Sequence, residues 1–243
     1  ALRRLRKAVG GVGGIQFLGG EFALRPFFMS ATYPRDGKDF QELSRLAEDK
    51  YLRQQKSPLH RLGLMEKSFW NAFDVLVGKA EFYELLGKGE EVPYFTRIRR
   101  DLGRNGHFSF PREMFLRIVE AVAQDVASDG EARGLVIVAG PRPEIFKQIF
   151  ISFGSDTTPG RNIFILGQSG STRFGSKNLI CMAADDDRLK EKEFVLYLKE
   201  NGAYGLFATG RQEEVCGFHT ADEWLVEAMM EKVQEMYLLQ GTF

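Results

Sequence analysis

Two short stretches of this chain combine small residues with cations in the way an anion cradle requires. The first is Gly140-Pro141-Arg142-Pro143, set between an apolar run and a helical pattern, so that the free N–H groups of a helix start fall beside a guanidinium. The second runs from Gly167 to Lys177 and holds three glycines, three serines, Thr172, Arg173 and Lys177. Glycines let backbone N–H groups approach an anion closely, and hydroxyls and cations complete the shell. The candidate ligand-binding residues are therefore Gly140, Arg142, Gly167, Ser169, Ser171, Thr172, Arg173 and Lys177. An ordinary polar surface loop is the plain alternative for the second stretch. It is not a Walker loop, because the order G-x-x-x-x-G-K-[S/T] fails and Lys177 leads into Asn178 rather than into a helical pattern.

Other chemistry-bearing residues point to bland roles. Asp185-Asp186-Asp187 could attract a hard cation, but neighbouring residues converge poorly on one ion and Arg188, Lys190 and Lys192 follow, so a solvated turn is expected. His60, His107 and His219 lie in unrelated segments, which argues against a zinc site, and His219 reads as structural. Cys181 and Cys216 sit in apolar contexts without a C-x-x-C partner and read as two buried, reduced thiols. No G-x-S-x-G elbow, H-E-x-x-H pair or Cys-His nucleophile context occurs, so no catalytic residue is assigned. No pattern names a cofactor. The glycines at 10, 11, 13 and 14 do not reproduce G-x-G-x-x-G and read as a connector, and Gly19-Gly20-Glu21-Phe22 reads as chance.

The elements that must position the two loops follow from periodicity. Leu135 to Val138 and Ile163 to Leu166 are continuous apolar runs, as expected of strands buried on both faces, and the segment between them reads as a helix. This is a βαβ unit, and ligands in open α/β sheets sit beyond the carboxyl ends of such strands. Further strands are expected at Leu179 to Met182, Phe194 to Leu198, Tyr204 to Ala208 and Val215 to Phe218, with Asn201-Gly202 turning a hairpin. Thr220 and Glu223 read as a capping box for a closing helix whose Met229, Met230 and Met236 could serve as an adaptable interface. Before residue 131 the pattern is helical: one helix from about Gly37 capped by Asp36, a second started by Ser57-Pro58 that carries an aromatic stripe from Phe69 to Leu86, and an amphipathic helix from Pro111 to Val126. The expected fold is α/β (α+β): a helical N-terminal region over 1–130, then an α/β domain over 131–243 with a mixed sheet closed by a C-terminal helix.

Composition narrows the function classes. The 243 residues carry 33 basic and 33 acidic side chains and are 44% hydrophobic, which excludes collagen-like, disulfide-scaffold and wholly disordered chains. Neither half has the basic excess of a generic nucleic-acid binder, since 1–130 holds 21 Lys or Arg against 17 Asp or Glu and 131–243 holds 12 against 16. No run reaches the roughly 18 apolar residues of a spanning helix, and the glycines after the basic start interrupt a signal-peptide pattern. A soluble, cytoplasmic protein is expected.

The sequence order Phe194-Val-Leu-Tyr-Leu, Asn201-Gly202, Ala203-Tyr-Gly-Leu-Phe-Ala-Thr, Val215-Cys-Gly-Phe-His-Thr and Asp222-Glu-Trp-Leu-Val resembles the ending of bacterial ligand-sensing domains. Over about 134–240 it is similar to the DICT sensory domain of diguanylate cyclases and two-component systems, and in outline to phospholipase-D-like effector domains. The His-x-Lys pair of phospholipase D chemistry has no counterpart here, so that resemblance implies a non-catalytic relative. The leading expectation is a bacterial signalling or regulatory module that binds a small anionic ligand or a protein partner, with a homodimer through terminal helices as one form of partnership. The competing expectations are an enzyme acting on a phosphorylated or nucleotide substrate at the same loops, and a structural or oligomerisation module.

Overall fold

The computed structural model describes residues 15–17, 20–22, 31–78, 106–128, 133–157, 159–168, 178–200, 202–210 and 214–239. The chain divides into two compact units, Ala1–Arg61 and Leu62–Phe243.

The first unit contains an antiparallel pair, β1 (Ile15–Phe17) and β2 (Gly20–Phe22), followed by helix α1 (Phe40–Lys56) and a single turn, α2 (Pro58–Arg61). The cap of α1 is Asp39 rather than the expected Asp36. Its carboxylate accepts from the Glu42 N–H at 2.9 Å, and Glu42 reaches back to accept from the Lys38 N–H at 2.7 Å. Asp36 instead closes the preceding turn by accepting from the Thr32 N–H at 2.8 Å.

The second unit is built on a seven-stranded sheet in the order β3-β9-β8-β7-β4-β5-β6. The strands are β3 (Gly106–Pro111), β4 (Gly134–Ala139), β5 (Arg161–Gly167), β6 (Leu179–Ala183), β7 (Lys192–Lys199), β8 (Gly202–Thr209) and β9 (Glu214–Thr220). The β4–β5 and β5–β6 pairs are parallel, and all other pairs are antiparallel. The mixed sheet of a βαβ unit and a β7-β8-β9 meander therefore forms as its apolar runs require. Among the described residues four helices cover it: α3 (Phe69–Val77), α4 (Arg112–Ser128), α5 (Pro143–Ser152) and α6 (Glu223–Met236).

The strands alternate their side chains between two cores. On one face Phe115 and Val119 of α4 and Phe146 and Phe150 of α5 pack on Val136, Ile163 and Val195. On the other, Phe69 of α3 meets Phe194 edge-on with ring centroids 4.9 Å apart, and Phe73 meets Phe207 at 5.7 Å. The same face takes α6, where Leu225, Val226, Met229, Met230 and Val233 are all buried. The methionines expected to form an adaptable interface are thus spent inside the unit, and only Met236 among them is half-buried.

The sheet draws in more of the first half of the chain than its helical pattern foretold. Gly106–Pro111 is a strand, paired along its whole length with β9, and α4 packs on the sheet, both within the unit Leu62–Phe243. The helix expected to run on from Pro58 is interrupted: its first turn stops at Arg61, and α3 starts afresh at Phe69, where the Ser68 hydroxyl accepts from the Asn71 N–H at 3.4 Å. α3 stops at Val77, where Gly78 takes φ 89°, a left-handed value that favours glycine, and the part of the stripe from 79 to 86 lies outside the described residues. The closing helix is capped by Asp222, which accepts from the Leu225 N–H at 2.8 Å, while Thr220 accepts from the Asp222 N–H at 2.9 Å. The thiols also differ from expectation. Cys181 is half-buried on the edge strand β6, and Cys216 is exposed on β9 because its side chain faces away from the core that its neighbours Val215 and Gly217 border.

Candidate functional site: the carboxyl rim of the parallel strands

After β4 the chain passes through α5 to β5 and on to β6, then returns to the other side of β4 as β7. The carboxyl end of β4 is therefore where the strand order reverses, the place at which open α/β sheets form a crevice. Two of the predicted residues, Gly140 and Gly167, meet there for steric reasons. The Gly140 N–H donates to the Leu166 carbonyl at 3.2 Å. At Gly167 a Cβ would lie 2.3 Å from Pro143 Cγ and 2.7 Å from Pro143 Cβ, so the close approach of the two loops depends on the missing side chain.

Arg142 occupies the N-cap position of α5 with Pro143 at the first helical position. Its side chain makes no capping hydrogen bond and is exposed. Sequence reasoning missed what lies behind it. Glu193, second residue of β7, is buried and ion-paired with Arg112, first residue of α4, which is itself 13% exposed. Gly140 makes room for this pair: a Cβ there would sit 3.0 Å from Glu193 Cγ and 3.2 Å from the Phe146 ring. Burial pushes the Arg112 guanidinium below the usual range, and the neighbouring positive charge of Arg142 adds to the effect. The rim thus carries two arginines against one buried carboxylate. A signal for Glu193 is present in the strand pattern, since alternation places this acid on the same inward face as Val195 and Tyr197.

Gln168 leads into the second loop and donates through Nε2 to Asp187 Oδ1 at 2.7 Å. Ser169, Ser171, Thr172, Arg173 and Lys177 lie outside the described residues. Of the eight predicted binding residues, Gly140, Arg142 and Gly167 are thus brought together on one rim.

Next along this rim, the aspartate run is more than a solvated turn. Asp185 and Asp187 are exposed, but Asp186 gathers donors from three elements. Trp70 Nε1 donates to Oδ2 at 2.8 Å, Tyr237 OH at 2.9 Å, and the Arg188 guanidinium to both oxygens at 2.8 and 2.9 Å. Burial alone would raise the Asp186 carboxyl; the hydrogen bonds from Arg188, Tyr237 and Trp70 outweigh it and bring the carboxyl down to about 2. Because the folded value lies below the ordinary 3.8, the carboxylate stabilises the fold above about pH 4, and that contribution is lost as pH falls towards 2. The shift corresponds to about 2 kcal/mol. Urea denaturation of the wild type and of Asp186→Asn at pH 6 and pH 2.5 should show their difference shrinking by about that amount on acidification; a difference independent of pH would contradict it.

No group of three His, Cys, Asp or Glu side chains among the described residues could hold a metal ion. His219 is buried, with Phe108 and Tyr204 rings 6.4 and 6.3 Å away. His107 Nε2 lies 2.8 Å from the Leu76 carbonyl, a bond it donates as a neutral ring, and burial pushes its pKa down. No helix among the described residues is long and apolar enough to cross a membrane.

No family model matches the sequence, and no curated protein matches it. Two solved structures that it resembles are NucT from Helicobacter pylori, at 9% identity over 55% of this chain and 96% of that one, and TrmBL2, an archaeal chromatin protein, at 12% over 97% and 79%. Their TM-scores are 0.30 and 0.28. Neither likeness gives the chain a family. The TrmBL2 structure is described as showing a novel mode of DNA binding, which is a property of that protein.

Proposed function

We propose that this chain is a non-catalytic regulatory module that binds a small anionic ligand at the carboxyl rim of its parallel strands. The observation that carries the reading is the juxtaposition of Gly140, Arg142 and Gly167, held by the Pro143–Gly167 contact, with the exposed Arg142 guanidinium at the start of α5. A helix start and an unengaged cation favour the same sign of charge. Arg173 and Lys177 would supply further cations from the loop that begins at Gly167. The resemblance of residues 134–240 to bacterial sensory domains is consistent with such a role in signal transduction.

The enzymatic alternative needs a carboxylate or imidazole free to move a proton near the cations. Glu193 is at the rim, but its carboxylate is engaged by Arg112 beneath the surface, which favours binding over turnover.

Thermal melts with inorganic phosphate, nucleotides and cyclic dinucleotides test the reading, since a ligand that binds only the folded state raises Tm by mass action. At least one of these anions should raise the Tm of the wild type, and Arg142→Ala should weaken its binding by roughly 10-fold or more, the loss expected for a charge-assisted hydrogen bond. Arg173→Ala with Lys177→Ala should do the same. No shift with any anion would overturn the proposal, and conversion of a bound phosphoester to product would replace it with the enzymatic reading.

A further inference from the structure

The segment 184–187, which carries Asp186, is tied to the candidate anion site at both of its ends. The Ala184 N–H donates to the Gly167 carbonyl at 2.8 Å, and the Asp187 carboxylate accepts from Gln168 Nε2 at 2.7 Å. Gly167 has little slack of its own, because it lies against Pro143 where a Cβ would come within 2.3 Å. Asp186 sits between these two attachments, so a movement of 167–168 is passed on to it.

In the other direction Asp186 holds two helices of the opposite face of the sheet. Trp70 Nε1 of α3 and the Tyr237 hydroxyl both donate to its Oδ2, at 2.8 and 2.9 Å. Tyr237 is the C-cap of α6, and Leu238 after it is 83% exposed with φ 52°, a left-handed value that costs energy in a leucine. Such a backbone persists where its neighbours fix it. Here Tyr237 is fixed through Asp186, while Leu239 is buried and its N–H donates to the Gln234 carbonyl at 2.9 Å.

The sign of the coupling follows from charge. An anion held beside Gly167 and Arg142 repels the Asp187 carboxylate and competes with it for the Gln168 amide. We infer that 184–187 is an autoinhibitory strap: Asp187 competes with the incoming anion, and its displacement from Gln168 loosens the hold of Asp186 on Trp70 and on the last turn of α6. The inference rests on the anion-binding reading given above and adds its regulation. Asp186 is the positioning residue, and the turn at Leu238 is what the change reaches. Linkage makes the effect reciprocal, so loosening the strap raises anion affinity by the factor through which the anion loosens the strap.

Inorganic phosphate at constant ionic strength tests this on the full chain carrying Trp224→Phe, which leaves Trp70 as the single tryptophan. Trp70 emission should change over the concentrations at which phosphate raises Tm, because its hydrogen-bond acceptor moves and the Arg188 guanidinium lies 4.9 Å from its ring centroid. Asp187→Asn and Tyr237→Phe should each bind phosphate about fivefold more tightly in calorimetric titrations below the melting transition. Tyr197→Phe is the control: it removes a similar hydrogen bond, 2.7 Å to Asp125, at the other end of the sheet, and should leave the affinity unchanged. Suppose that phosphate raises Tm and Arg142→Ala abolishes the rise, yet Trp70 emission stays constant and both strap variants bind as the parent does; the strap is then overturned and the anion site stands. An equal gain in Tyr197→Phe would also overturn the strap, by assigning the effect to a general loosening of the fold. A phosphate effect that is absent, or undiminished in Arg142→Ala, would overturn the anion-binding reading and the strap together.

Discussion

Glu193→Ala is expected to destabilise the sheet-bearing unit by about 3–5 kcal/mol, the usual consequence of leaving one member of a buried ion pair without its partner. Arg112 is the member left behind: its side chain is 13% exposed, its Nε has no hydrogen-bond partner among the described residues, and burial together with Arg142 already disfavours its charge. The double variant Glu193→Ala, Arg112→Leu removes both charges and should recover most of the loss, because an apolar replacement of a buried pair is often near neutral. Guanidinium denaturation of the wild type, the single and the double variants gives the comparison. A single variant within about 1 kcal/mol of wild type would mean that Arg112 finds water or another acceptor, contrary to the packing described. The anion binding proposed for this rim should respond in the opposite direction. Removing the carboxylate raises the positive charge beside Arg142, so phosphate affinity measured below the melting transition should increase while stability falls.

Gly217→Ala is expected to cost about 3 kcal/mol or more, at the upper end of overpacking effects. A Cβ at this position would lie 1.9 Å from the Phe207 carbonyl oxygen, 2.9 Å from Ala208 Cα and 2.9 Å from Phe108 Cζ. Two of these are backbone atoms of the adjacent strand β8, which cannot rotate aside as a side chain would. Strands β8 and β9 would have to separate, and β3, whose partner is β9, would move with them. A loss of that size should lower Tm by roughly 6–12 °C for a unit of this length. By contrast, Gly63→Ala, where no atom lies within 4 Å but φ is +59°, should show only the smaller cost of a left-handed backbone. Equal Tm values for the two variants would contradict the packing described at Gly217.

What can be read from the chain itself divides by how local the information is. The buried strands 134–139 and 161–167 announce themselves through the unbroken apolar runs 135–138 and 163–166, because the part of a strand covered on both faces needs nothing else. The strand 106–111 is different. Its alternation, His107-Phe108-Ser109-Phe110, is brief and lies against a proline, and what makes it a strand is β9, more than a hundred residues away. The caps show the same competition at shorter range: Thr220 and Asp222 both offer an oxygen near a helix start, and Asp222 takes the role while Thr220 holds Asp222 in place. At the rim, the meeting of Gly140, Arg142 and Gly167 is legible from the two apolar runs and the helical pattern between them, which bring both following loops to one end of the sheet. The role of Glu193 is not, because an acid on an inward face acquires meaning only from Arg112 in a different element. The thiols escape for a related reason: apolar neighbours say that a strand is present, but only its place in the sheet says which residues are covered.

The pairing of β3 with β9 also bears on how the protein emerges from the ribosome. Synthesis proceeds from the N-terminus, and Phe108 finds its partner residue Gly217 only after more than a hundred further residues have been made. Throughout that interval the apolar side of α4, with Phe115, Val119, Val122 and Val126, has only part of its sheet on which to lie, because β9 and its pairing with β3 are missing. The nascent chain thus carries a partly uncovered apolar helix face until β9 is made, and its yield in cells should depend on chaperone supply more than its final stability would suggest.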